Sequence, residues 1–247
     1  MYKTLRGLVL REVKYKESSK MLSLLTPEGK ISAEARGAMR KGSRIAGASQ
    51  QFTYSDLTLF ENRGRHTLTE ASVVEDFAAL RERFEDFALA AYIAELLDAV
   101  SLEGAGDEAV LRLGLNTLFA LSRQLYPSEH IKAVFELRLM CLAGFAPEVE
   151  RCAVCGSAEP EHPRLSLRGG AVHCADCPPP APGPSALLCG ASLAAFRHVV
   201  HAEEKRIFSF TLEESAARRF RSACENYMLC QLDRGFATLD YWKSAKG

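Results

Sequence analysis

"TLRGLVLREVKYKESSKMLSLLTPEGKISAEARG" (residues 4–37) contains three runs rich in apolar residues, broken by polar turn signals. "TLRGLVLR" leads to "KMLSLLT", Pro27-Glu28-Gly29 supplies a turn, and "KISAEARG" follows. Downstream of a basic, Gly-rich loop, "QQFTYSDLTLFE" (50–61) alternates apolar and polar residues, Asn62-Arg63-Gly64 turns the chain, and "HTLTEASVV" (66–74) runs back. Alternation between turn residues is the signature of hairpins. Five strands in about 75 residues predict a small closed barrel, of which the OB-fold is the nucleic-acid-binding kind. An SH3-like barrel fits the same pattern nearly as well, and periodicity does not separate the two.

From Asp76 the apolar period becomes helical. Phe77, Leu80, Phe84, Phe87 and Ala91 recur at three and four residues, which predicts one buried face. A second helix is expected from Asp107 to Tyr126 with Leu111, Leu115, Leu118 and Leu125 inward, and Pro127 breaks it. Ser128 is placed to cap a third helix that ends at Gly144. Further on, Ser192 can cap a short helix, and Thr211 with Glu214 makes a capping box for a last one ending before Gly235. Phe220, Cys224 and Tyr227 line its expected buried side.

Between these helices lies "CAVCGSAEPEHPRLSLRGGAVHCADC" (152–177), two C-x-x-C pairs eighteen residues apart. Each pair can present two sulfurs to one ion, so Cys152, Cys155, Cys174 and Cys177 are the expected ligands of one tetrahedral zinc. Gly156 follows the first pair, and Gly169-Gly170 can turn a hairpin that returns the second. A four-thiolate shell leaves no position for substrate, so this zinc would be structural. Substitution of His162 or His173 for a thiol is possible but unnecessary. A redox role expects a βαβ setting that is missing, and disulfides need an oxidising compartment. Cys141, Cys189, Cys224 and Cys230 stand alone at apolar helical positions and read as core. "CPPPAPGPS" leaves the segment as a stiff extended spacer.

The expected class is therefore α+β and multidomain, with an N-terminal five-stranded barrel of the OB-fold or SH3-like kind, a helical domain and an inserted four-cysteine zinc module. The expected divisions are 1–76 (barrel), 77–146 (helical), 147–184 (zinc module with its Pro-rich exit) and 185–247 (C-terminal helices completing the helical domain).

The formal charge of the 247 residues is zero, yet residues 1–44 hold eleven Lys and Arg against four Glu, a net of +7. The remainder must then carry −7, and a basic head on an acidic body is a pattern of nucleic-acid contact. "ARGAMRKGSRIAG" places Arg36, Arg40, Lys41 and Arg44 among glycines, a flexible backbone with cations that reach phosphate. Tyr15, Phe52, Tyr54 and Phe60 could stack on unpaired bases, although Phe52 and Phe60 read better as barrel core. No apolar stretch is long enough to span a bilayer, and the N-terminus does not read as a signal peptide. The expected location is the cytoplasm. The sequence has no P-loop, G-x-G-x-x-G, H-E-x-x-H or G-x-S-x-G, and its six histidines form no ligand or triad spacing.

In this order, the parts resemble the RecO family of bacterial recombination mediators. "GLVLREVKYKESSKMLSLLTPEGKISAEARGAMRKGSRIAG" matches its opening strand, polar turn, L-x-L-L-T hairpin and G-x-x-x-x-x-S-R loop. "FTYSDLTLF", "LTEASVVEDF" and "LMCLAGFAPEVERCAVCG" continue the series through the first zinc knuckle. The resemblance implies that the five-stranded barrel is an OB-fold, and that the protein is non-catalytic, binds single- and double-stranded DNA and anneals complementary strands. It also implies action with RecR to help RecA displace single-strand-binding protein. Arg36, Arg40, Lys41 and Arg44 would face DNA, with Lys14, Lys16 and Lys20 as weaker candidates. The acidic tail of single-strand-binding protein would bind the helical domain, where Arg123 and Lys132 are candidates. Two other readings compete: a zinc-ribbon adaptor for protein partners with an incidental basic barrel, and a nuclease. The nuclease needs clustered carboxylates, and Glu12, Glu17, Glu28 and Glu34 are scattered.

Overall fold

The computed structural model describes residues 1–106 and 108–245. Among these, five N-terminal strands close a barrel: β1 (Tyr2–Tyr15), β2 (Ser19–Thr26), β3 (Gly29–Ala35), β4 (Tyr54–Asn62) and β5 (Arg65–Glu75). Their order is β1-β2-β3-β5-β4, with β4 closing on β1 and β3 parallel to β5. That crossover is the Greek-key route of an OB-fold, and it separates this barrel from the SH3-like alternative.

Fourteen residues let β1 serve two neighbours: Tyr2 to Leu8 pair with β4, and Leu8 to Tyr15 pair with β2. The register shifts between Val9 and Arg11, as a bulge does where a strand must bend around a barrel. Inward positions supply the core: Val9, Leu22, Leu24, Ala33, Leu57, Leu59 and Leu68. At the tip of β2–β3 the Thr26 hydroxyl donates to the Gly29 carbonyl at 2.7 Å and accepts from the Glu28 amide at 3.2 Å. Gly29 sits there at φ 103°, a conformation in which a side chain is strained.

The chain then divides into two units: Met1–Arg123 together with the chain from Phe236 onward, and Gln124–Gly235. In the first, the barrel is joined by α1 (Phe84–Val100), α2 (Glu108–Ser122) and α6 (Ala237–Ala245). The expected stripe of α1 holds only at its approach: Phe77 and Leu80 are buried, but Phe84 is 60% exposed and meets Tyr241 edge-on. The buried side of α1 is instead Leu89, Tyr92, Ile93, Leu96 and Leu97. An apolar helix packed on several sides hides its preferred face from a periodicity count. Asp107 lies outside the described residues. Leu111 and Leu118 are buried as expected, whereas Leu125 falls beyond α2 and is exposed. Gly114 allows α2 to approach α1, since a Cβ there would meet a Leu97 methyl at 2.7 Å.

The second unit holds α3 (Ser128–Leu142), a sheet of β6 (Arg164–Ser166), β7 (Ala171–His173) and β8 (Ser185–Leu187), then α4 (Gly190–His201) and α5 (Glu214–Leu232). Three expected caps shift. Pro127 precedes α3, and the amides of His130 and Ile131 donate to its carbonyl, so Ser128 is the first helical residue. Cys189 precedes α4; Ser192 acts from the third position, its hydroxyl accepting from the Cys189 amide at 2.8 Å. Glu213, not Thr211, precedes α5, and Ser215 donates to its carboxylate. Buried Phe220, Cys224 and Tyr227 line the inner side of α5 as expected.

Candidate metal centre and nucleic-acid face

The metal candidates sit on two tight turns joined by a short hairpin. After Cys152 the chain folds back so that the Gly156 amide donates to the Cys152 carbonyl at 2.9 Å, with Gly156 at φ 76°. β6 and β7 pair antiparallel around Gly169-Gly170 and deliver Cys174, where a second turn closes by Cys177 N–H to Cys174 C=O at 3.2 Å. The ligand atoms of Cys152, Cys155, Cys174 and Cys177 all lie within 4.8 Å of one another. Sulfurs at about 2.3 Å around one tetrahedral ion lie about 3.8 Å apart, and Cys155 Sγ is 3.7 Å from Cys174 Sγ. The arrangement can therefore hold one metal ion.

Its electrostatics point the same way. Burial raises the Cys152 thiol, but amide donors from Cys155, Cys174 and Val154 outweigh it and bring the pKa down to about 6. Cys155 N–H and Cys174 N–H approach its sulfur at 3.5 and 3.4 Å. Cys177 moves the other way, to about 12, through burial, hydrogen bonding to Cys152 and Cys155, and repulsion from their charge. One thiolate is welcome in this cluster and a second is resisted until a cation joins it.

Two side chains that spacing did not identify hold the module in shape. His173 is buried, not exposed to an ion. Its Nδ1 lies 2.9 Å from the Cys174 carbonyl and 3.2 Å from that of Cys177, so this nitrogen carries the proton and donates to the second turn. Nε2 lies 3.1 Å from the Ser185 hydroxyl on β8. Arg197 of α4 donates to three carbonyls flanking the first turn: Val149 at 2.9 Å, Glu150 at 2.9 Å and Ala158 at 2.7 Å. From α5, Tyr227 donates to the Phe145 carbonyl, Gln231 to Leu167 and Arg219 to Leu188. His162 is exposed at φ 45° and is outside the four-cysteine set.

Of the remaining cysteines, Cys224 is fully buried, and burial raises its thiol well above the usual range. Burial lifts Cys141 to about 11. Cys189 and Cys230 are only partly buried, and Cys189 precedes α4 rather than standing within it.

The cationic candidates meet at one end of the barrel, although two separate segments supply them. The loop after β3 is tied to the β1–β2 turn by Met39 N–H to Ser18 C=O at 2.9 Å. Arg40 Nε to Ser18 Oγ and Gly37 N–H to Ser19 Oγ, each at 3.3 Å, add to it. Buried Ala38, Ile45 and Ala48 seat the loop. Arg36, Arg40, Lys41 and Arg44 are exposed on it, beside Lys14 and Lys16. Lys20 is half-buried.

Not all seven cations are equally available. Glu34 lies between Lys16 (3.4 Å) and Arg36 (3.2 Å), and Lys20 pairs with Glu12. Burial would raise the Glu34 carboxyl, but these two cations hold it below its ordinary value. Among the described residues Lys14, Arg40, Lys41 and Arg44 have no carboxylate partner. Of the four aromatics, Phe52 is buried against Phe87, and Phe60 is half-buried beside Tyr2. Tyr54 is half-buried too, whereas Tyr15 is exposed at the basic end with the Lys16 ammonium 4.6 Å from its ring centre.

Lys132 is buried on α3, its ammonium 2.7 Å from Glu136 and 2.8 Å from Glu225, so it is committed inside the fold. Arg123 lies over the Phe119 ring at 5.7 Å. Among the described residues, no helix is long and apolar enough to cross a membrane.

Comparison with known proteins finds relatives over nearly the whole chain. Residues 1–77 match the family model described as "Recombination protein O N terminal", and residues 81–240 match "Recombination protein O C terminal". A curated protein named DNA repair protein RecO from Acetivibrio thermocellus is 30% identical over 239 residues, covering 96% of this chain and 95% of its own. One of the same name from Symbiobacterium thermophilum is 32% identical over 247 residues, covering 97% of each. Another, from Alkaliphilus metalliredigens, is 36% identical over 172 residues, covering 69% and 70%.

Proposed function

The chain belongs to the RecO family of DNA repair proteins, and from that membership we propose that it acts as a non-catalytic recombination mediator. It binds single- and double-stranded DNA, speeds the annealing of complementary strands, and works with RecR to load RecA where single-strand-binding protein covers the strand. This work belongs in the cytoplasm, at the nucleoid.

The observation that carries the reading is the gathering of Lys14, Arg40, Lys41 and Arg44, free of carboxylates, at one end of an OB-fold barrel. Cations on flexible stems neutralise phosphates and release counterions, which gives affinity without reading sequence. Two strands held along one such surface repel each other less and meet at higher local concentration. The four cysteines hold zinc: an all-thiolate tetrahedron suits that ion, which stabilises the turns from which Cys152 and Cys174 project.

The test is annealing of complementary oligonucleotides coated with single-strand-binding protein, with and without this protein. Faster pairing that fades as salt rises is expected. Annealing at the uncatalysed rate, with no salt-dependent binding of either strand, would favour the adaptor reading instead.

A further inference from the structure

The reading above leaves a cavity unassigned. It has a volume of about 260 Å³ and opens on the outer face of β1, β2 and β3, against the end of α1. That is smaller than the roughly 300–1,000 Å³ of sites for drug-sized ligands, and suits a single ring system.

Its chemistry is that of a base site rather than a phosphate site. Val13 and Met21 give it an apolar floor, directly opposite each other in the register, and Ser23 and Ser32 offer hydroxyls one step further along. Its charges cancel: Arg11 and Lys30 stand against Asp98 and Glu103. Much of that polarity is used internally, since Lys30 donates to the Asp98 carbonyl at 2.9 Å and Ser23 donates to the Asp98 carboxylate at 2.7 Å. A neutral wall does not attract a polyanion's phosphates. It does accept a flat, neutral ring with apolar faces and polar edges, over which exposed Arg11 can stack.

Position supplies the rest. Beyond the bulge, Arg11, Val13 and Tyr15 share one face of β1, opposite Ser23, Met21 and Ser19. Tyr15 stands at the basic end; Val13 and Arg11 line the cavity. Four residues of strand cover about 13 Å, the length of about four stacked bases at ~3.4 Å each.

We propose that this cavity takes an unpaired nucleobase, and that Tyr15, Val13 and the cavity form a track for the bases of a single strand whose phosphates meet the neighbouring cations. The track rests on the DNA-binding reading and deepens it: a duplex keeps its bases paired and stacked and cannot use it, so the barrel distinguishes single from double strands.

The experiment is anisotropy titration of the full chain with three labelled probes: a thymidine oligomer of about twelve nucleotides, an abasic chain of equal length, and a duplex. Wild type should bind the thymidine oligomer about tenfold more tightly than the abasic chain. Tyr15→Ala, and separately Val13→Ala with Met21→Ala, should narrow that ratio severalfold. Neither variant removes a charge, so duplex affinity and salt slope should stay. Equal wild-type affinity for the thymidine and abasic chains would overturn the track, as would variants that leave the ratio unchanged. Salt-independent failure to bind all three probes would overturn the DNA-binding reading itself.

Discussion

The four-cysteine module and the basic end of the barrel both gather groups whose charged forms repel one another, and they relieve the crowding in opposite ways. In the module, four sulfurs within 4.8 Å of one another are close enough to share one cation held between them. At the barrel end, cations on long stems spread apart, and Glu34 and Glu12 already sit among them. The remaining charge looks outward, where the proposed ligand is far larger than the site. A closed site should fail as a unit when one member is lost, whereas an open one should lose affinity in steps.

The largest expected effect tests the closed site. Elemental analysis should find about one zinc per chain, and Cys152→Ser should remove most of it and lower the melting temperature of the second unit. Because the free cluster carries a thiolate at Cys152 while Cys174 and Cys177 are raised, metal binding at neutral pH should release about two protons or more. Affinity should therefore fall as pH falls. Calorimetry in buffers of different ionisation enthalpy counts those protons; metal uptake with no proton release would contradict a thiolate shell.

Next comes the support of that site. Arg197→Ala leaves three carbonyls without their charged donor, a loss of about 2–4 kcal/mol by urea unfolding, with faster zinc loss to a chelator. Arg197→Lys should recover only part, because an ammonium does not match a fork of three acceptors. These residues also mark the limit of what was legible in the sequence. Alternation and turn residues announced the barrel, and C-x-x-C spacing announced the thiols, because both are local patterns of side-chain type. Arg197 and His173 act on backbone carbonyls, which every residue carries, so no pattern singles them out. The caps at Thr211 and Ser192 were misplaced for a related reason: several oxygens near each helix start could serve, and tertiary packing chose among them. Likewise, that Glu12 would occupy Lys20 and Glu34 would occupy Lys16 depends on how the strands and their turn are set side by side rather than on charge counts.

The open site should respond by degrees. Changing Arg40, Lys41 and Arg44 together to Ala removes three of its unpaired cations. The slope of log K against log salt for single-stranded DNA should become shallower by about 2, at ~0.7 per phosphate contact. The melting temperature should hardly move, since these side chains are exposed. An unchanged slope would place the DNA elsewhere on the molecule.

The smallest effect is also the sharpest separation of the two kinds of site. Glu34→Gln frees Lys16 and Arg36 together while leaving every cation in place. If the barrel end is an open surface whose strength follows its uncompensated charge, the variant should bind single-stranded DNA a few-fold more tightly, with a slope steeper by about 1. Wild type should gain the same way on acidification, but only below the ordinary carboxylate range. The two cations hold the Glu34 pKa down, so its charge persists above that range and is lost as pH falls through the lowered value. A site of fixed geometry would instead weaken when Glu34 is changed, because Lys16 and Arg36 would lose what orients them. The sign of one small change in affinity thus decides whether this surface acts by charge or by fit.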